Sequence, residues 1–470
     1  MSRGARTIDR YAVRLAAVVA SAALVLSGCD AVSGSGGGST SGAGTVTAGA
    51  DGEADRAAGH ATSSPQGSDA YPEELSDEQV LEVVAAMDAA LASGDEEAFL
   101  AHVSPELQEE QRAWFHAVRN VPMEVRQLRA DRVVSRRSPT GTVLHVGLRH
   151  QITGADPAPV LEQYRWSLAP DEDTIAVLTE TRGRSGDLFG YPQLWDIGPV
   201  AVLEGDGVVV IAAEHERALA EDLLPSMEAA AEQILNDFTF LAEKRDQLAV
   251  QLMAREDLTA ALGGDADLGL LSLRTSPQEI PADRADLRAR TDALEHRLII
   301  DVDSARDTLE QGLTSGGLWE LRVVGALSAV VGDHEDRVPA AWVVDGIPDW
   351  YGVAEDPIAR DDFVLYLAEE FESGPPEELP SVRWQWDADP EQLWVQSTWF
   401  ACYLDDVHGR ETLLSLVDQL ARVDARYDRR SPEQIFTQTL GASEDEVLTD
   451  WQEWTQEQVE LLTQGSVEGR

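Results

Sequence analysis

Apolar residues recur first at helical spacing and then at the spacing of strands in the first folded part of the chain. Between residues 80 and 91 they fall three or four positions apart, which predicts an amphipathic helix. Ser76-Asp-Glu-Gln79 has the form of a capping box, so the helix is expected to begin there. Further helices are predicted at 96–103 and 107–118, and long strands at 143–152, 161–168 and 175–181.

The pattern changes again after a connector at 189–198. Two short apolar runs flank Gly205-Asp-Gly207 and predict a β-hairpin. A long amphipathic helix follows at 214–243, a buried strand at 297–302, and helices at 318–331, 361–371, 392–404 and 409–423. This order predicts an α+β protein: N-terminal helices with a curved, cone-like antiparallel sheet, then a second α+β domain with a helical C-terminal half.

Length and charge limit the domain count and the classes of partner. The 470 residues allow two or three domains of roughly 100–200 residues each. The chain has 36 basic and 85 acidic side chains, for a net charge of −49, which argues against nucleic acid and against docking on anionic lipid through protein charge. An acidic surface keeps a protein soluble, and selective binding of cations or basic partners is the alternative.

The N-terminus has the features of a lipoprotein signal. Arginines precede a short apolar stretch at 15–26, which ends in Leu26-Ser27-Gly28-Cys29 and resembles the bacterial lipobox. The resemblance implies removal of a signal peptide, residues 1–28, and lipidation of Cys29. The acyl chains would hold the protein at the extracytoplasmic face of the cell membrane. An uncleaved signal anchor is the alternative. The Gly/Ser/Ala-rich residues 29–72 are predicted to be a flexible tether.

The first folded unit, predicted at 73–190, resembles the nuclear-transport-factor-two-like family. The resemblance rests on the run Leu91-Ala-Ser-Gly-Asp-Glu-Glu-Ala-Phe-Leu-Ala-His-Val103 followed by long strands. It implies a cone with a pocket at its mouth, in a family that contains both enzymes and interaction domains without pockets. The residues that could line such a pocket are Asp88, His102, His116, His145 and His150; scattered core or surface positions are the other interpretation.

The stretch at 318–352 has the frame of a zinc peptidase. Trp342-Val-Val-Asp345-Gly346-Ile-Pro-Asp349-Trp350-Tyr351 resembles the W-x-x-E-G run that carries the third zinc ligand of gluzincins. In that family an upstream helix carries H-E-x-x-H, with two histidine ligands and a glutamate base. The same frame places Val323, Val324 and Leu327 at those three positions. The resemblance therefore implies a degenerate peptidase MA-like domain at 198–465, although an unrelated apolar helix remains the alternative.

The C-terminal part supports the same family resemblance. Phe400-Ala-Cys-Tyr403-Leu404-Asp-Asp-Val-His408-Gly409-Arg-Glu411-Thr-Leu413 resembles a pattern of actinobacterial peptidases, and the run 436–451 resembles their F-x-x-x-L-G-x-S-x-x-E-x-x-x-x-W ending. These matches imply the fold of an actinobacterial lipoprotein with such a domain, and they carry no catalytic residue.

No set of residues with catalytic or metal-binding spacing is found in the sequence. No two of the nine histidines are four apart, and Leu219 and Val338 stand where His215-Glu216 and His334-Glu335 would need a second histidine. No metal, cofactor or catalytic residue is therefore expected. Asp345 and Asp349 could hold a weak cation, but capping or solvating the start of a helix is favoured. Cys402 is expected to be buried; a nucleophilic role with His408 is the alternative.

The sequence thus predicts a membrane-anchored extracytoplasmic lipoprotein with a catalytically dead metallopeptidase-like domain. Its role would be binding or scaffolding, with a protein or peptide of the cell envelope as partner. One alternative is an enzyme that acts through a pocket of the N-terminal cone domain. Others are a divergent metallopeptidase with non-standard ligands, and a scaffold without a ligand.

Overall fold

The fold is known from a computed structural model. It describes residues 72–136, 138–156, 159–171, 174–181, 193–238, 245–257, 271–275, 295–303, 305–306, 341–354, 357–371, 374–380, 390–422 and 430–468. Helices and mixed or antiparallel sheets occupy these residues, and the α+β prediction is confirmed. The predicted helix at 318–331 lies outside the described residues.

The first unit has helices followed by an antiparallel sheet, as predicted. Its elements are α1 (Asp77–Ser93), α2 (Glu96–Leu100), α3 (Gln108–Asn120), β1 (Met123–Ser135), β2 (Thr142–Ile152), β3 (Val160–Asp171) and β4 (Thr174–Thr181). The strands pair in chain order, each antiparallel to the next. Irregular register along β1 interrupts its pairing with β2 at three places, and such bulges bend and twist a strand.

Local chemistry fixes the start of α1. The Ser76 hydroxyl accepts from the Gln79 backbone N–H at 3.2 Å, and the Gln79 side chain accepts from the Ser76 backbone N–H at 2.9 Å. This confirms the predicted capping box, an arrangement in which the cap contributes about 1 kcal/mol. The helix ends at Gly94, whose φ of 79° suits glycine.

The second unit is built on a mixed sheet. Its first elements are α4 (Leu194–Ile197), β5 (Val200–Gly205), β6 (Val208–Ala213), a 3-10 turn (Glu214–Glu216), α5 (Arg217–Asp237), β7 (Leu248–Met253), β8 (Leu271–Thr275) and β9 (Glu295–Asp301). The spatial order is β5-β6-β7-β9-β8. β6, β7 and β9 run parallel, while β5 and β8 pair antiparallel at the two edges.

Both faces of this second sheet are buried. Val208 and Val210 belong to a core shared with α5 and the C-terminal helices. The alternate residues Val209, Ile211 and Ala249 belong to a core shared with α1–α3 and the first sheet. The second sheet is therefore the layer that joins the N-terminal unit to the rest of the protein.

The C-terminal half is helical. Its described helices are α6 (Ala341–Val353), α7 (Pro357–Glu370), α8 (Pro390–His408), α9 (Arg410–Arg422), α10 (Pro432–Leu440) and α11 (Glu444–Glu468). They enclose fully buried tryptophans, among them Trp342, Trp350, Trp394, Trp399 and Trp451. The predicted helices at 361–371, 392–404 and 409–423 are confirmed, with α7 and α8 starting earlier than predicted.

Candidate functional site

Most of the predicted site lies outside what the structure describes. Cys29, Val323, Val324 and Leu327 are outside the described residues, so the convergence of the last three on Asp345 stays a prediction. Asp345 itself falls within α6, one turn before Asp349. The described part of the candidate site is therefore the α6 run and the helices against which it packs.

The first half of α6 fits closely against α8. The Trp342 indole meets the Phe400 ring edge-on, with centroids 5.3 Å apart. One turn later a Cβ on Gly346 would stand 2.3 Å from the Ser397 carbonyl oxygen, well inside any real contact. The glycine of the motif is therefore required because the two helix backbones touch there.

Asp349 is buried within this packing. The residue is only 4% exposed, and its Oδ2 accepts a hydrogen bond from Trp394 Nε1 at 2.7 Å. Burial raises the pKa of Asp349 to about 6, and the hydrogen bond from Trp394 opposes part of that rise. The prediction of a solvated or capping position is wrong for Asp349, because it lies inside the helix and faces α8.

The next two residues of the run bond to other helices. Trp350 Nε1 donates to Asp405 Oδ2 at 3.1 Å, and the Tyr351 hydroxyl donates to Asp237 Oδ2 at 2.8 Å. The Arg410 guanidinium also donates to Asp237, at 2.9 Å, and lies over the rings of Trp350 and Tyr351 at 5.5 and 5.3 Å. These contacts tie α6 to α5, α8 and α9.

Cys402 lies in the interior as predicted, on α8. It is a free thiol with no exposed surface, and burial raises its pKa to about 12. A thiol in this state is a poor nucleophile, because the thiolate is the reactive form. His408 lies instead beside Tyr403, with its Nε2 3.4 Å from the hydroxyl oxygen, and partial burial lowers the pKa of His408.

Comparison with known proteins adds no assignment. No protein-family model and no curated protein matches this chain. Among the residues that the structure describes, no group of three or more His, Cys, Asp or Glu side chains is placed to hold a metal ion. Across the same residues, no helix is both long and apolar enough to span a bilayer.

The pocket candidates of the N-terminal unit do not share one site. His116 pairs with Glu96 at the surface at 2.9 Å, and His102 Nδ1 lies 3.2 Å from the Ile175 carbonyl oxygen. The remaining three are distributed as follows: Asp88 accepts from the Leu128 backbone N–H at 2.7 Å, His145 is buried on β2, and His150 is buried five residues further along. The His150 ring has a carboxylate partner in the interior, Glu162 at 3.0 Å.

Two buried carboxylates of this part of the protein, Glu162 and Asp196, were not predicted from the sequence. Glu162 lies on the same face of β3 as the buried residues Val160, Tyr164 and Trp166. A glutamate at an alternate position among apolar residues was the signal that could have predicted a buried carboxylate. Asp196 lies in the predicted connector, where no sequence pattern marked it. It accepts hydrogen bonds from three donors: Trp114 Nε1 at 3.0 Å, the Tyr164 hydroxyl at 2.9 Å and the Gln193 backbone N–H at 2.9 Å. These contacts fasten the connector into the first unit.

Proposed function

We propose that this protein is a lipid-anchored extracytoplasmic binding or scaffolding protein, whose second unit has the frame of a gluzincin without its hydrolytic chemistry. One observation carries the proposal. The polar side chains of the motif-like run that the structure describes, Asp349, Trp350 and Tyr351, are bonded to neighbouring helices. The run thus serves helix packing.

The sequence supports the loss of hydrolysis independently. The gluzincin frame puts Val323, Val324 and Leu327 where two zinc ligands and a general base would stand. Asp345 alone is insufficient, because zinc sites in proteins use three or four protein ligands. Water activation at such a site needs the metal, so the frame without its ligands favours binding over cleavage.

The arrangement of the two units suits a scaffold. The N-terminal unit and the C-terminal helices pack on opposite faces of the second sheet, so both would be presented together to a partner. The lipobox at Leu26 to Cys29 would hold this body at the membrane by a flexible tether. Its partner would be an envelope protein or peptide, and the strong negative charge favours basic segments.

Restoring the absent ligands tests the frame. The variant Val323→His/Val324→Glu/Leu327→His would place a complete H-E-x-x-H in register with Asp345. We expect it to take up about one zinc per chain, measured by elemental analysis after dialysis, and to lose that zinc when Asp345→Asn is added. The matched control Arg322→His/Ala326→His has the same spacing on a helix face rotated by one residue, and it should take up none.

Two outcomes would contradict the proposal. Tightly bound zinc in the unmodified chain, with cleavage of casein or a peptide library that a chelator stops, would establish an active peptidase. Equal zinc uptake by the restored variant and its rotated control would refute the predicted gluzincin alignment of these positions. Circular dichroism of each variant separates failure to fold from failure to bind.

A further inference from the structure

The outer face of the first sheet carries arginines. Neighbouring residues of a strand point to opposite faces, and the inward apolar ones, such as Tyr164, belong to the core shared with α1–α3. Where β2 and β3 pair regularly, the outward residues include Arg149 and Arg165, and none of them is acidic. Arg129 of β1 lies on the same face, since it pairs with Gly147 and its Cγ is 3.8 Å from where a Cβ on that glycine would stand. We call Arg129, Arg149 and Arg165 the arginine face.

The three arginines are spread around Gly147. Arg129 lies beside it on β1, Arg149 stands two residues along β2, and Arg165 pairs with His145, two residues back. Strands about 4.8 Å apart, with about 6.8 Å between alternate residues, put the three arginine Cα atoms about 8–14 Å from one another. Each side chain is half-buried and already has an interaction within its own chain. Because a guanidinium has several N–H donors, each arginine can bind a further carboxylate.

The solvent side of α11 carries the opposite charge. Acidic residues recur there every three or four positions and form one stripe along the helix, the acidic stripe: Glu446, Asp450, Glu453, Glu457 and Glu460. All five are exposed, and the helix contains no arginine or lysine. Like charges one turn apart destabilise a helix, so the acidic stripe favours a positively charged partner. At about 1.5 Å per residue, carboxylates two turns apart are about 10.5 Å apart, which is within the range between the arginines.

The arginine face and the acidic stripe lie on opposite sides of one molecule. The arginine face points away from the core that the N-terminal unit shares with the second sheet. The acidic stripe lies on a helix that packs, through Val447 and Trp451, into the core on the other side of that sheet. Contact between the arginine face and the acidic stripe therefore requires two molecules.

We propose that the arginine face of one copy of this protein binds the acidic stripe of a second copy. The net charge of −49 on each copy opposes association at long range. At physiological ionic strength charges are screened beyond about 8 Å, so the opposite charges in direct contact decide whether two copies bind. Because the two surfaces differ, each bound copy keeps one of them available, and copies add in rows instead of closing as a pair. The proposal uses neither the gluzincin frame nor the lipid anchor.

Sedimentation equilibrium of the full chain in a neutral detergent tests the contact. At about 0.15 M salt, the average mass of the unmodified chain should rise with concentration above the 51.0 kDa of one copy. Arg149→Glu/Arg165→Glu makes the face acidic, and Glu453→Arg/Glu457→Arg makes the stripe basic. Each of these double variants should associate at least about tenfold more weakly, because its two surfaces then have the same sign. An equimolar mixture of the two, and one chain with all four substitutions, should associate again.

Matched controls make the same charge changes elsewhere on the surface. Glu369→Arg/Glu370→Arg on α7 changes the net charge as much as the stripe variant does, and Arg112→Glu/Arg217→Glu matches the face variant. Both controls should associate as the unmodified chain does. The stripe positions are exposed, so their variant still tests the contact if circular dichroism shows that the face variant fails to fold.

Several results would overturn the proposal. An unmodified chain that stays at the mass of one copy up to about 0.2 mM does not self-associate at a useful affinity. Association that survives either reversal, or that the chain with all four substitutions does not recover, uses another surface. A chain that remains single but binds polyglutamate through Arg149 and Arg165 would assign the arginine face to an acidic segment of another protein.

Discussion

Gly346 of α6 and Ser397 of α8 meet backbone to backbone: a Cβ on residue 346 would stand 2.3 Å from the Ser397 carbonyl oxygen and 2.5 Å from its carbonyl carbon. Neither atom belongs to a flexible side chain, so relief would require α6 and α8 to separate. Separation would disturb the buried contacts of Trp342 and Asp349 on the same helix. The close approach of α6 and α8 therefore depends on residue 346 being glycine, which has no side chain.

Gly346→Ala is expected to destabilise the protein by about 2–4 kcal/mol, because overpacking costs more than the gain of about 1 kcal/mol in helix propensity. Urea unfolding monitored by tryptophan fluorescence measures the change. Gly198→Ala is the matched control, since a Cβ there meets nothing within 4 Å and its φ is 179°. Similar stabilities of the two variants would contradict the backbone contact.

The raised pKa of Asp349 predicts that the stability of the protein depends on pH. Its pKa rises from 3.8 to about 6 on folding, so the folded state holds a proton that the unfolded state releases between those pH values. The free energy of unfolding should therefore fall as pH rises through this window, by roughly 3 kcal/mol at about 1.4 kcal/mol per unit, and stay lowered above it. The cause is burial, which removes water from around the charged form of the carboxyl group.

Asp349→Asn removes the charge and keeps an acceptor for Trp394. We expect it to raise the free energy of unfolding at pH 7.5 by about 1–3 kcal/mol and to flatten the profile between pH 4 and 6. Urea unfolding at pH 7.5 and at several pH values between 4 and 6 measures the free energy of unfolding of both proteins. The exposed Glu369→Gln, on α7, should leave the profile unchanged. An Asp349→Asn variant less stable at pH 7.5 than the unmodified chain would show that the carboxylate is favourably paired.

Elements with local signals could be predicted from the sequence. The capping box at Ser76 and the Gly205-Asp-Gly207 turn were predicted because their hydrogen bonds or backbone angles involve only a few adjacent residues. β7 could not be placed, because all six of its residues are buried and it has no alternation. Its parallel partner β9 begins more than forty residues later, so no short-range signal joins them.

In the candidate site too, local sequence signals could be recognised but contacts with distant residues could not. The motif includes Gly346, but the feature that requires a glycine there, the backbone of Ser397, lies on another helix. Asp349 was expected to cap or solvate the start of a helix. Its burial depends on Trp394, which stands outside the motif. Partners distant in the chain decide what a motif residue does, and the sequence of one protein does not show them.

Cys402 is expected to be inert in the folded protein. Its thiol is fully buried and burial raises its pKa to about 12, so almost no thiolate exists at pH 8. In a Cys29→Ser background, where Cys402 is the remaining thiol, Ellman's reagent should react at least a hundredfold more slowly without urea than with it. Rapid reaction in the folded state would refute the buried position.

The two units are expected to unfold together because they share a core across the second sheet. Ile211 is fully buried on the face toward the N-terminal unit. Ile211→Ala should lower the free energy of unfolding by about 2–4 kcal/mol, and circular dichroism and fluorescence should still give coincident transitions. Leu203→Ala, at a half-buried position packed on the other core, is the control and should cost less. Two separate transitions would show independent units.

The proposed lipid attachment would make membrane anchoring depend on one sulfur atom, that of Cys29. The folded part carries a strong negative charge that anionic lipid repels, so acyl chains would supply the attachment. Cys29→Ala should abolish labelling by radioactive palmitate and leave the chain at its full precursor mass, because the lipobox cysteine also marks the cleavage site. Ser27→Ala keeps the lipobox pattern and should be labelled and retained. An unmodified chain that takes up no label and keeps residues 15–26, as shown by mass spectrometry, would instead establish an uncleaved signal anchor, because a hydrophobic segment holds a protein without lipid.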